Sequence, residues 1–339
     1  MNLRHLALFV LTASATAGEL DSVLDKIAPD ARKWACVCRI ESRDDGTLDF
    51  QWHDYSGTAD AIDFWPASTI KLYAVIATLE LLHQRGFDLD ATLTFEHQDE
   101  DGAWTLDCAR TVREMISEVF RRSANEDYTL LLRFVGLDRM NTEFLTPERG
   151  FPHSALMRGY VLGRPWEYRR AEPQRITVHA PDGAVDVITH TWSGRSYSEE
   201  RGATVIDART GNLTSPRELA ECLRRVLFAE KLPEAERYRI SATQLAFLRS
   251  GGNGLAGLET RVKESSPDAW TGAAEGVFPK ARFFHKCGVI SNVALEVACV
   301  DDRAHSGRCF ILVPVVAVGE KRGEKIVSQM SRAIAEWMR

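Results

Sequence analysis

One segment, Ile70–Leu82, is apolar on almost every side and constrains the fold more than any other part of the chain. Only Lys71, Thr78 and Glu80 interrupt it. A helix that is hydrophobic around its whole circumference is buried at the centre of a protein. Lys71 is then a cation in the core, and burial disfavours the charged form of an amine. The sequence therefore predicts a central helix over Ala67–Gln84, with a lysine of lowered pKa near its start.

Ser68 lies three residues before Lys71, at the N-terminal end of this helix and over the same face. A serine hydroxyl beside a desolvated lysine is an activated nucleophile, because the neutral amine can accept its proton. Backbone N–H groups at the helix N-terminus also favour a developing negative charge. A structural interpretation is open as well, in which Ser68 caps the helix and Lys71 extends its ammonium to solvent.

Two further polar segments are candidates for the same site. Ser123-Ala124-Asn125 separates two amphipathic helical stretches and is expected to form a turn facing a cleft. An ordinary helix cap is the alternative for this segment. Lys286 and Gly288 begin an apolar strand, where the lysine can bind a carboxylate and the glycine admits a ligand backbone. The alternative for Lys286 is a charge that protects a strand edge.

The order of predicted elements indicates an α/β (α+β) fold with a mainly antiparallel five-stranded sheet. The elements, in chain order, are a helix over Glu19–Trp34, strands over Ala35–Ile40 and Leu48–Tyr55, helices over Ala67–Gln84, Thr111–Phe134, Ser215–Leu227 and Ser241–Leu248, three strands after residue 280 and a helix over Gly323–Arg339. The first and last strands can join in one sheet, with the terminal helices on one face and a large inserted all-helical lobe on the other.

This order predicts one two-lobed domain over residues 18–339. The α/β lobe comprises residues 18–66 and 280–339, and the helical lobe comprises residues 67–279. Within the helical lobe, residues 150–210 form an enlarged loop region with a predicted hairpin at Arg175–Thr191.

Residues 1–17 have the pattern of a signal peptide. Leu6–Leu11 is apolar, and Ala15-Thr16-Ala17 has the A-x-A form that signal peptidase prefers. The apolar stretch is too short for a membrane span, which needs about 20 residues. A helix docked on the core is the alternative. A cleaved leader predicts an exported protein, periplasmic or secreted, with no membrane segment after cleavage.

Charge and ligand spacing exclude several function classes. Lys and Arg number 42 against 48 Asp and Glu, a net charge of −6 at pH 7, and no basic stripe marks a nucleic-acid binder. No Cys or His spacing suits zinc, so no metal is expected. The seven cysteines are Cys36, Cys38, Cys108, Cys222, Cys287, Cys299 and Cys309. A Cys299–Cys309 bridge, a bridge from Cys309 to the strand with Cys36 and Cys38, and free thiols all fit.

Three residue pairs follow one another as the motifs of serine penicillin-recognising enzymes do: Ser68 and Lys71, Ser123 and Asn125, then Lys286 and Gly288. The chain resembles class A β-lactamases and the related D-Ala-D-Ala peptidases over about residues 20–150 and 210–339. The stretch from Thr111 to Met115, which leads to Ser123, resembles that family's helix before its Ser-Asp-Asn loop.

The resemblance implies a role for each matching residue. Ser68 would be the acylated nucleophile, Lys71 its proton acceptor, and Ser123 the relay of a proton to the leaving nitrogen. Asn125 would hydrogen-bond the substrate amide, and Lys286 would attract the substrate carboxylate.

The resemblance also implies an oxyanion hole made of two backbone N–H groups. Those of Ser68 and Val289 would supply it, with Gly288 beside them at the substrate-binding strand.

Departures from the family pattern concern mainly the hydrolysis of the acyl-enzyme, the step that follows acylation. Cys287 replaces a threonine, Ala124 replaces an aspartate, and Thr129 replaces the asparagine that in the family braces the loop with the deacylating glutamate. No such glutamate motif is found. The available carboxylates, each expected to be a solvated surface charge, are Glu167, Glu172, Glu199 and Glu200.

The resemblance therefore predicts a serine hydrolase that acylates Ser68 with a β-lactam or related amide and hydrolyses the acyl-enzyme, with no cofactor. A D-Ala-D-Ala peptidase or serine esterase is one alternative. A receptor that binds β-lactams or cell-wall peptides covalently without turnover is another. The expected partner is a small-molecule acyl substrate, with no nucleic acid or membrane, and the expected state is a monomer.

Overall fold

The computed structural model describes residues 17–160, 172–204, 209–259, 274–290, 292–318 and 320–339. The predicted leader, apart from Ala17, lies outside these residues, and so does Glu167. No helix within them is long and apolar enough to cross a membrane.

Nine strands form two antiparallel sheets in the described part of the chain. The strands are β1 Arg32–Ser42, β2 Leu48–Asp54, β3 Thr92–Gln98, β4 Trp104–Thr111, β5 Gln174–His179, β6 Val185–His190, β7 Arg282–Ile290, β8 Val293–Asp302 and β9 Arg308–Ala317. The first sheet has the order β2-β1-β9-β8-β7, and the second has the order β4-β3-β5-β6. The predicted five-stranded sheet, built from both ends of the chain, is confirmed.

Among the described residues, the longer helices that accompany the sheets are α1 Ala17–Leu24, α2 Lys71–Gln84, α3 Val112–Arg122, α4 Asn125–Val135, α5 Pro216–Leu227, α6 Ala242–Ser250 and α7 Glu320–Met338. Shorter helical turns lie at Ala67–Ile70, Leu137–Arg139, Met140–Phe144, Pro147–Arg149, Tyr197–Glu200, Ala229–Lys231 and Glu234–Glu236. The helices follow their sequence signals closely, since Ser215 and Ser241 both cap the helices that they precede.

The first helix is shorter than predicted. It ends at Leu24, and β1 starts at Arg32, within the segment that the sequence assigned to the helix. The buried Lys33 side chain donates to the carbonyl oxygens of Leu24, at 2.8 Å, and Ile27, at 2.5 Å. These bonds satisfy carbonyl groups at the helix end, so the chain can turn back into the sheet.

The inserted lobe is mainly helical, but it also contains the four-stranded sheet that the expectation of an all-helical lobe lacked. Strand β5 and strand β6 form the predicted hairpin, whereas β3 and β4 were not predicted. Strand β3 buries Leu93, Phe95 and His97 and leaves the residues between them half-exposed. Strand β4 alternates between exposed and half-buried residues in pairs rather than singly, so it lacks the apolar alternation that marks a strand in sequence.

The core has two main clusters on opposite faces of the five-stranded sheet. One surrounds α2 and includes residues of both sheets, for example Trp34 of β1 and Phe95 of β3. The other lies between the sheet and the terminal helices α1 and α7. Because α2 is buried along nearly its full length, the residues at its start are held between the sheet and the inserted lobe.

The seven cysteines, all of which lie within the described residues, form no disulfide. Six of them are buried, and Cys108 is half-buried. Burial raises the pKa of Cys36 to about 12, so this thiol stays protonated at neutral pH. Strands β8 and β9 pair with Cys299 opposite Ile311 and with Cys309 opposite Asp301.

Candidate active site

Ser68 lies in the tight turn Ala67–Ile70 that leads directly into α2. The residue before it, Ala67, is buried with a φ of +44°, a region that non-glycine residues rarely occupy. Such conformations persist only where surrounding contacts fix them, and they occur preferentially at active sites. Ser68 itself is half-buried and supplies no side-chain cap to the helix.

Lys71 is fully buried, which excludes the interpretation that its ammonium reaches solvent. Its Nζ donates to the backbone carbonyl oxygen of Ser123 and lies 2.6 Å from Asn125 Oδ1. The Ser123 hydroxyl lies 3.2 Å from the same nitrogen. The first two predicted motifs therefore meet at one amine.

Lys286 reaches the same hydroxyl from the sheet. Its Nζ is fully buried and lies 2.8 Å from Ser123 Oγ and 2.8 Å from the carbonyl oxygen of Cys287. Ser123 adopts a left-handed conformation with φ +56° and ψ +40° between α3 and α4. We call Lys71, Ser123, Asn125 and Lys286 the cationic wall.

Burial disfavours the charged form of both amines in this wall. Burial lowers the pKa of Lys71 well below its ordinary value, and the nearby Lys286 ammonium lowers it further. Burial also lowers the pKa of Lys286. Because two ammonium groups around one hydroxyl repel each other, the arrangement favours Lys71 as a neutral amine beside a charged Lys286.

Strand β7 passes very close to the Ser68 turn at Gly288. A Cβ atom placed on Gly288 would lie 2.8 Å from the backbone nitrogen of Ser68 and 3.1 Å from that of Thr69. Only glycine permits this approach. The predicted oxyanion-hole residues, Ser68 and Val289, are therefore brought to the same place, one on the turn and one directly after Gly288.

Alternate residues of β7 point to opposite faces of the sheet. Lys286 points to the cationic wall, whereas Cys287 packs in the core cluster under the terminal helices. His285 is buried, with Nδ1 3.1 Å from Glu296 Oε1 on the neighbouring strand β8. The thiol of Cys287 thus does not face the cationic wall, and the ring of His285 is engaged with Glu296.

On another side of Lys71, three aromatic residues form what we call the aromatic wall: Trp65, Tyr128 and Tyr160. The Lys71 Nζ lies 5.7 Å from the centre of the Tyr128 ring, and the Tyr128 and Tyr160 rings are 5.4 Å apart. Trp65 donates from Nε1 to the Tyr160 hydroxyl at 3.2 Å. This wall runs from the segment just before Ser68 to the amine of Lys71.

Thr129 connects the two walls. Its hydroxyl donates to the carbonyl oxygen of Asn125 at 2.8 Å and accepts from the backbone N–H of Tyr160 at 3.2 Å. Gly159 packs so tightly against it that a Cβ would lie 2.3 Å from Thr129 Oγ1. Thr129, which stands where the resemblance expects a bracing asparagine, thus fixes the backbone at Tyr160.

The candidate carboxylates that the structure describes are not brought to the cationic wall. Glu200 pairs with Arg195 at the surface, and Glu199 is exposed on the same helical turn. Glu172 is half-buried, and its carbonyl oxygen accepts from Gln174. Glu167 lies outside the described residues.

Sequence reasoning missed several residues that shape the site. Trp65, Tyr160 and Asn212 belong to no sequence motif that marks them as site residues. Asn212 Oδ1 accepts from the backbone N–H groups of Met157, at 2.7 Å, and Arg158, at 3.1 Å. Their common feature is that they bind backbone groups or one another across long sequence separations. The only available signal was the position of Trp65, three residues before Ser68.

The chain matches known proteins in sequence and in fold. The sequence profile of the Beta-lactamase enzyme family matches residues 55–338. No curated protein sequence matches the chain significantly. The acyl-enzyme complex of a PBP-A point mutant with penicillin G has a TM-score of 0.59 at 15% identity, covering 95% of each chain.

Two β-lactamases have similar structures. The TLA-1 extended-spectrum β-lactamase has a TM-score of 0.59 at 14% identity, covering 95% of this chain and 98% of that one. A class A β-lactamase from Mycobacterium abscessus has a TM-score of 0.55 at 16% identity over the same shares. Identities this low show a common fold, whereas the profile match extends over most of the sequence. The chain belongs to the beta-lactamase enzyme family.

Proposed function

We propose that this protein is a serine hydrolase that forms an acyl-enzyme on Ser68 with a β-lactam or a related amide. The family acts on small-molecule β-lactams, and family and fold support a hydrolase of the serine β-lactamase type. The observation that carries the proposal is the meeting of Lys71 and Lys286 at the Ser123 hydroxyl. Lys71 itself lies three residues after Ser68.

The hydrogen bonds of Lys71 leave its lone pair for a hydroxyl. A neutral amine has two N–H bonds and one lone pair, while the Ser123 carbonyl oxygen and Asn125 Oδ1 can only accept. Both N–H bonds are therefore engaged, and the lone pair is left for a serine hydroxyl, of which that of Ser123 lies at 3.2 Å. Ser68, on the same face one turn earlier, is the hydroxyl that it would activate.

Acylation of Ser68 forms one bond and breaks one. Ser68 Oγ forms a bond to the carbonyl carbon, its proton passes to Lys71, and the amide C–N bond breaks. The leaving nitrogen would take the hydroxyl proton of Ser123, and Ser123 would take in turn the proton that Lys71 holds, across the 3.2 Å between Lys71 Nζ and Ser123 Oγ. Lys286 at 2.8 Å stabilises the Ser123 oxygen while that proton moves.

Binding groups surround this chemistry. The backbone N–H groups of Ser68 and Val289 would stabilise the oxyanion, and the close packing at Gly288 keeps them together. Asn125 would hydrogen-bond the substrate amide. Lys286, a buried cation, would attract the carboxylate that β-lactams and peptide C-termini carry.

The test is an acylation assay on the full chain, with Ser68→Ala as the matched variant. Purified protein is mixed with benzylpenicillin or a chromogenic cephalosporin, and intact mass and colour are followed together. An adduct that maps to Ser68 and is absent from Ser68→Ala supports the proposal. If no acyl donor of either class gives a Ser68-dependent adduct or turnover, the proposed function is wrong.

A covalent receptor that releases its acyl group slowly is the second candidate, because the described residues bring no carboxylate into the cationic wall. The same assay distinguishes it, since a receptor accumulates adduct without sustained colour. Members of this family are commonly exported, and we propose the same for this chain. The monomeric state and the absence of membrane contact stay predictions.

A further inference from the structure

We propose that Glu296, buried on strand β8 behind the strand that carries Lys286, is a positioning residue whose negative charge keeps Lys286 an ammonium. The inference deepens the proposed function and rests on Lys286 attracting the carboxylate of the substrate. It gives a role in the reaction to a residue on the far face of the five-stranded sheet, outside both walls of the site.

Within the described residues, the hydrogen bonds of both amines in the cationic wall go to neutral oxygens. Those of Lys71 involve the carbonyl oxygen and hydroxyl of Ser123 and Oδ1 of Asn125. Those of Lys286 involve the Ser123 hydroxyl and the Cys287 carbonyl oxygen, each at 2.8 Å. A buried ammonium is costly without a compensating anion. Lys286 therefore needs a negative charge from outside the wall to stay protonated.

Glu296 lies directly behind strand β7. In the pairing of β7 with β8 it stands opposite Cys287, the residue that follows Lys286. Its side chain is 1% exposed and contacts helix α7, whereas Lys286 points to the other face of the sheet. Because both side chains are buried, little water screens the attraction between their charges.

The contacts of Glu296 are those of a carboxylate. Its Oε1 lies 3.1 Å from Nδ1 of His285, and its Oε2 accepts from the Ser331 hydroxyl of α7 at 3.5 Å. The other ring nitrogen of His285, Nε2, is buried with no hydrogen-bond partner in the part of the chain that the structure describes. An imidazolium would hold a hydrogen there without an acceptor, so the arrangement favours a neutral ring that donates from Nδ1. The cluster then carries the single negative charge of Glu296.

The titratable groups around Lys286 act in opposite directions. Burial lowers the pKa of Lys286, and negative charge on Cys287 or Glu296 raises it. Burial also raises the pKa of the Cys287 thiol, so this thiol stays uncharged at neutral pH. Lys71, from helix α2, gains a proton less readily because burial and Lys286 lower its pKa. Glu296 is thus the anion that offsets the burial of Lys286.

The test is the pH dependence of acylation by benzylpenicillin, followed by intact mass on the full chain between about pH 7 and pH 11. Loss of the Lys286 proton should make the rate fall above about pH 9, and Lys286→Arg should lack the fall because a guanidinium does not titrate there. Glu296→Gln removes the charge and keeps the shape. We expect the midpoint of the fall to lie about one pH unit lower in this variant, because an opposite charge nearby shifts a pKa by about that much or more.

Two control variants keep the charge of Glu296 and change its contacts. Glu296→Asp shortens the side chain, and Ser331→Ala removes one hydrogen bond to the carboxylate. Both should leave the midpoint within about 0.3 pH unit of that of the unchanged protein. A role in packing alone would instead make all three variants alike.

A second measurement does not depend on how much of a variant folds. Benzylpenicillin carries a carboxylate and its methyl ester does not, so the ratio of their acylation rates reports the charge of Lys286 in the folded molecules. At the midpoint of the unchanged protein, a shift of about one unit leaves about a tenth of Lys286 charged instead of about half. The ratio at that pH should therefore fall about fivefold in Glu296→Gln.

The proposal is overturned if Glu296→Gln has the midpoint and the ratio of the unchanged protein, or if the fall persists in Lys286→Arg. It is overturned too if Glu296→Asp or Ser331→Ala shifts the midpoint as far as Glu296→Gln does. Absence of any Ser68 adduct in the unchanged protein would instead overturn the proposed function.

Discussion

The two walls beside Ser68 differ in what they can do with a proton. The cationic wall contains two buried amines, a hydroxyl between them and an amide oxygen, all within 3.2 Å of their neighbours. The aromatic wall is fixed equally well, but its polar groups are an indole N–H and two phenol hydroxyls already engaged as donors or acceptors. Rigidity alone therefore does not make a catalytic surface.

The difference separates the two halves of the proposed reaction. Transfer of a proton from Ser68 requires an acceptor, and Lys71, whose pKa burial lowers well below its ordinary value, would be that acceptor in the proposed reaction. Removal of a proton from water requires a second acceptor, and the aromatic wall has none. We expect a fast first half and a slow second half.

The largest expected effect comes from removing the acceptor of the cationic wall. Lys71→Met should slow acylation of Ser68 by about 100- to 10,000-fold, the usual contribution of a positioned base. The measurement is the rate of adduct formation by intact mass. Lys33→Met is the matched control, because Lys33 is also a buried lysine but bonds only carbonyl oxygens near α1. Equal loss in both variants, or no loss in Lys71→Met, would contradict the role of Lys71.

The second effect tests whether the strand must approach the Ser68 turn. Gly288→Ala places a Cβ 2.8 Å from the Ser68 nitrogen, so the turn or the strand must shift. We expect acylation to slow by about 100-fold, the lower range for loss of one oxyanion-hole donor. Gly252→Ala is the control, since a Cβ there meets nothing within 4 Å. Unchanged acylation in Gly288→Ala would argue against an oxyanion hole between the turn and β7.

The third effect is the pH dependence of acylation. If neutral Lys71 is the acceptor, the acylation rate constant rises about tenfold per pH unit below its pKa and then levels off. Because burial lowers that pKa, the plateau should begin well below pH 10.5. Stopped-flow acylation rates with a chromogenic cephalosporin, measured between about pH 5 and pH 9 in steps of about one pH unit, would show the rise and the plateau. A rate that falls with rising pH would contradict it.

The smallest effect concerns the connection between the walls. Thr129→Val keeps the shape of the side chain but removes the bonds to Asn125 and Tyr160. We expect a loss of about 1–2 kcal/mol in the free energy of unfolding, measured in urea, with acylation slowed less than about threefold. Thr78→Val, which removes a single 3.3 Å bond to the carbonyl oxygen of Leu131, should cost less. A larger loss of unfolding free energy in Thr78→Val than in Thr129→Val would show that Thr129 does not hold Tyr160.

The residues of the cationic wall could be named from sequence, Lys71 from its helix and Ser123, Asn125 and Lys286 from the family resemblance, whereas those of the aromatic wall could not. An apolar helix that contains one lysine signals a buried amine without any knowledge of tertiary contacts, and Ser68 follows from its spacing. The position of Tyr160 depends on hydrogen bonds from Tyr128 and Asn212 to the Arg158 carbonyl oxygen and on the bond between its own N–H and Thr129. Backbone groups are the same at every residue, so such contacts leave no pattern in a single sequence.

The two sheets also differ in how far the sequence predicts them. Strands β7, β8 and β9 are largely buried on both faces and were predicted, whereas β4 is polar and partly exposed. Tertiary pairing of β3 with the β5–β6 hairpin stabilises the second sheet, and local sequence does not encode that pairing.

The most direct test of the contrast between the walls is the burst of chromophore when the full chain meets an excess of a chromogenic cephalosporin. Fast acylation and slow hydrolysis predict a burst close to one equivalent per active site, absent from Ser68→Ala, followed by a much slower steady rate. Rapid linear release from the first turnover, with no adduct visible by mass, would show that hydrolysis keeps pace with acylation and would contradict the account.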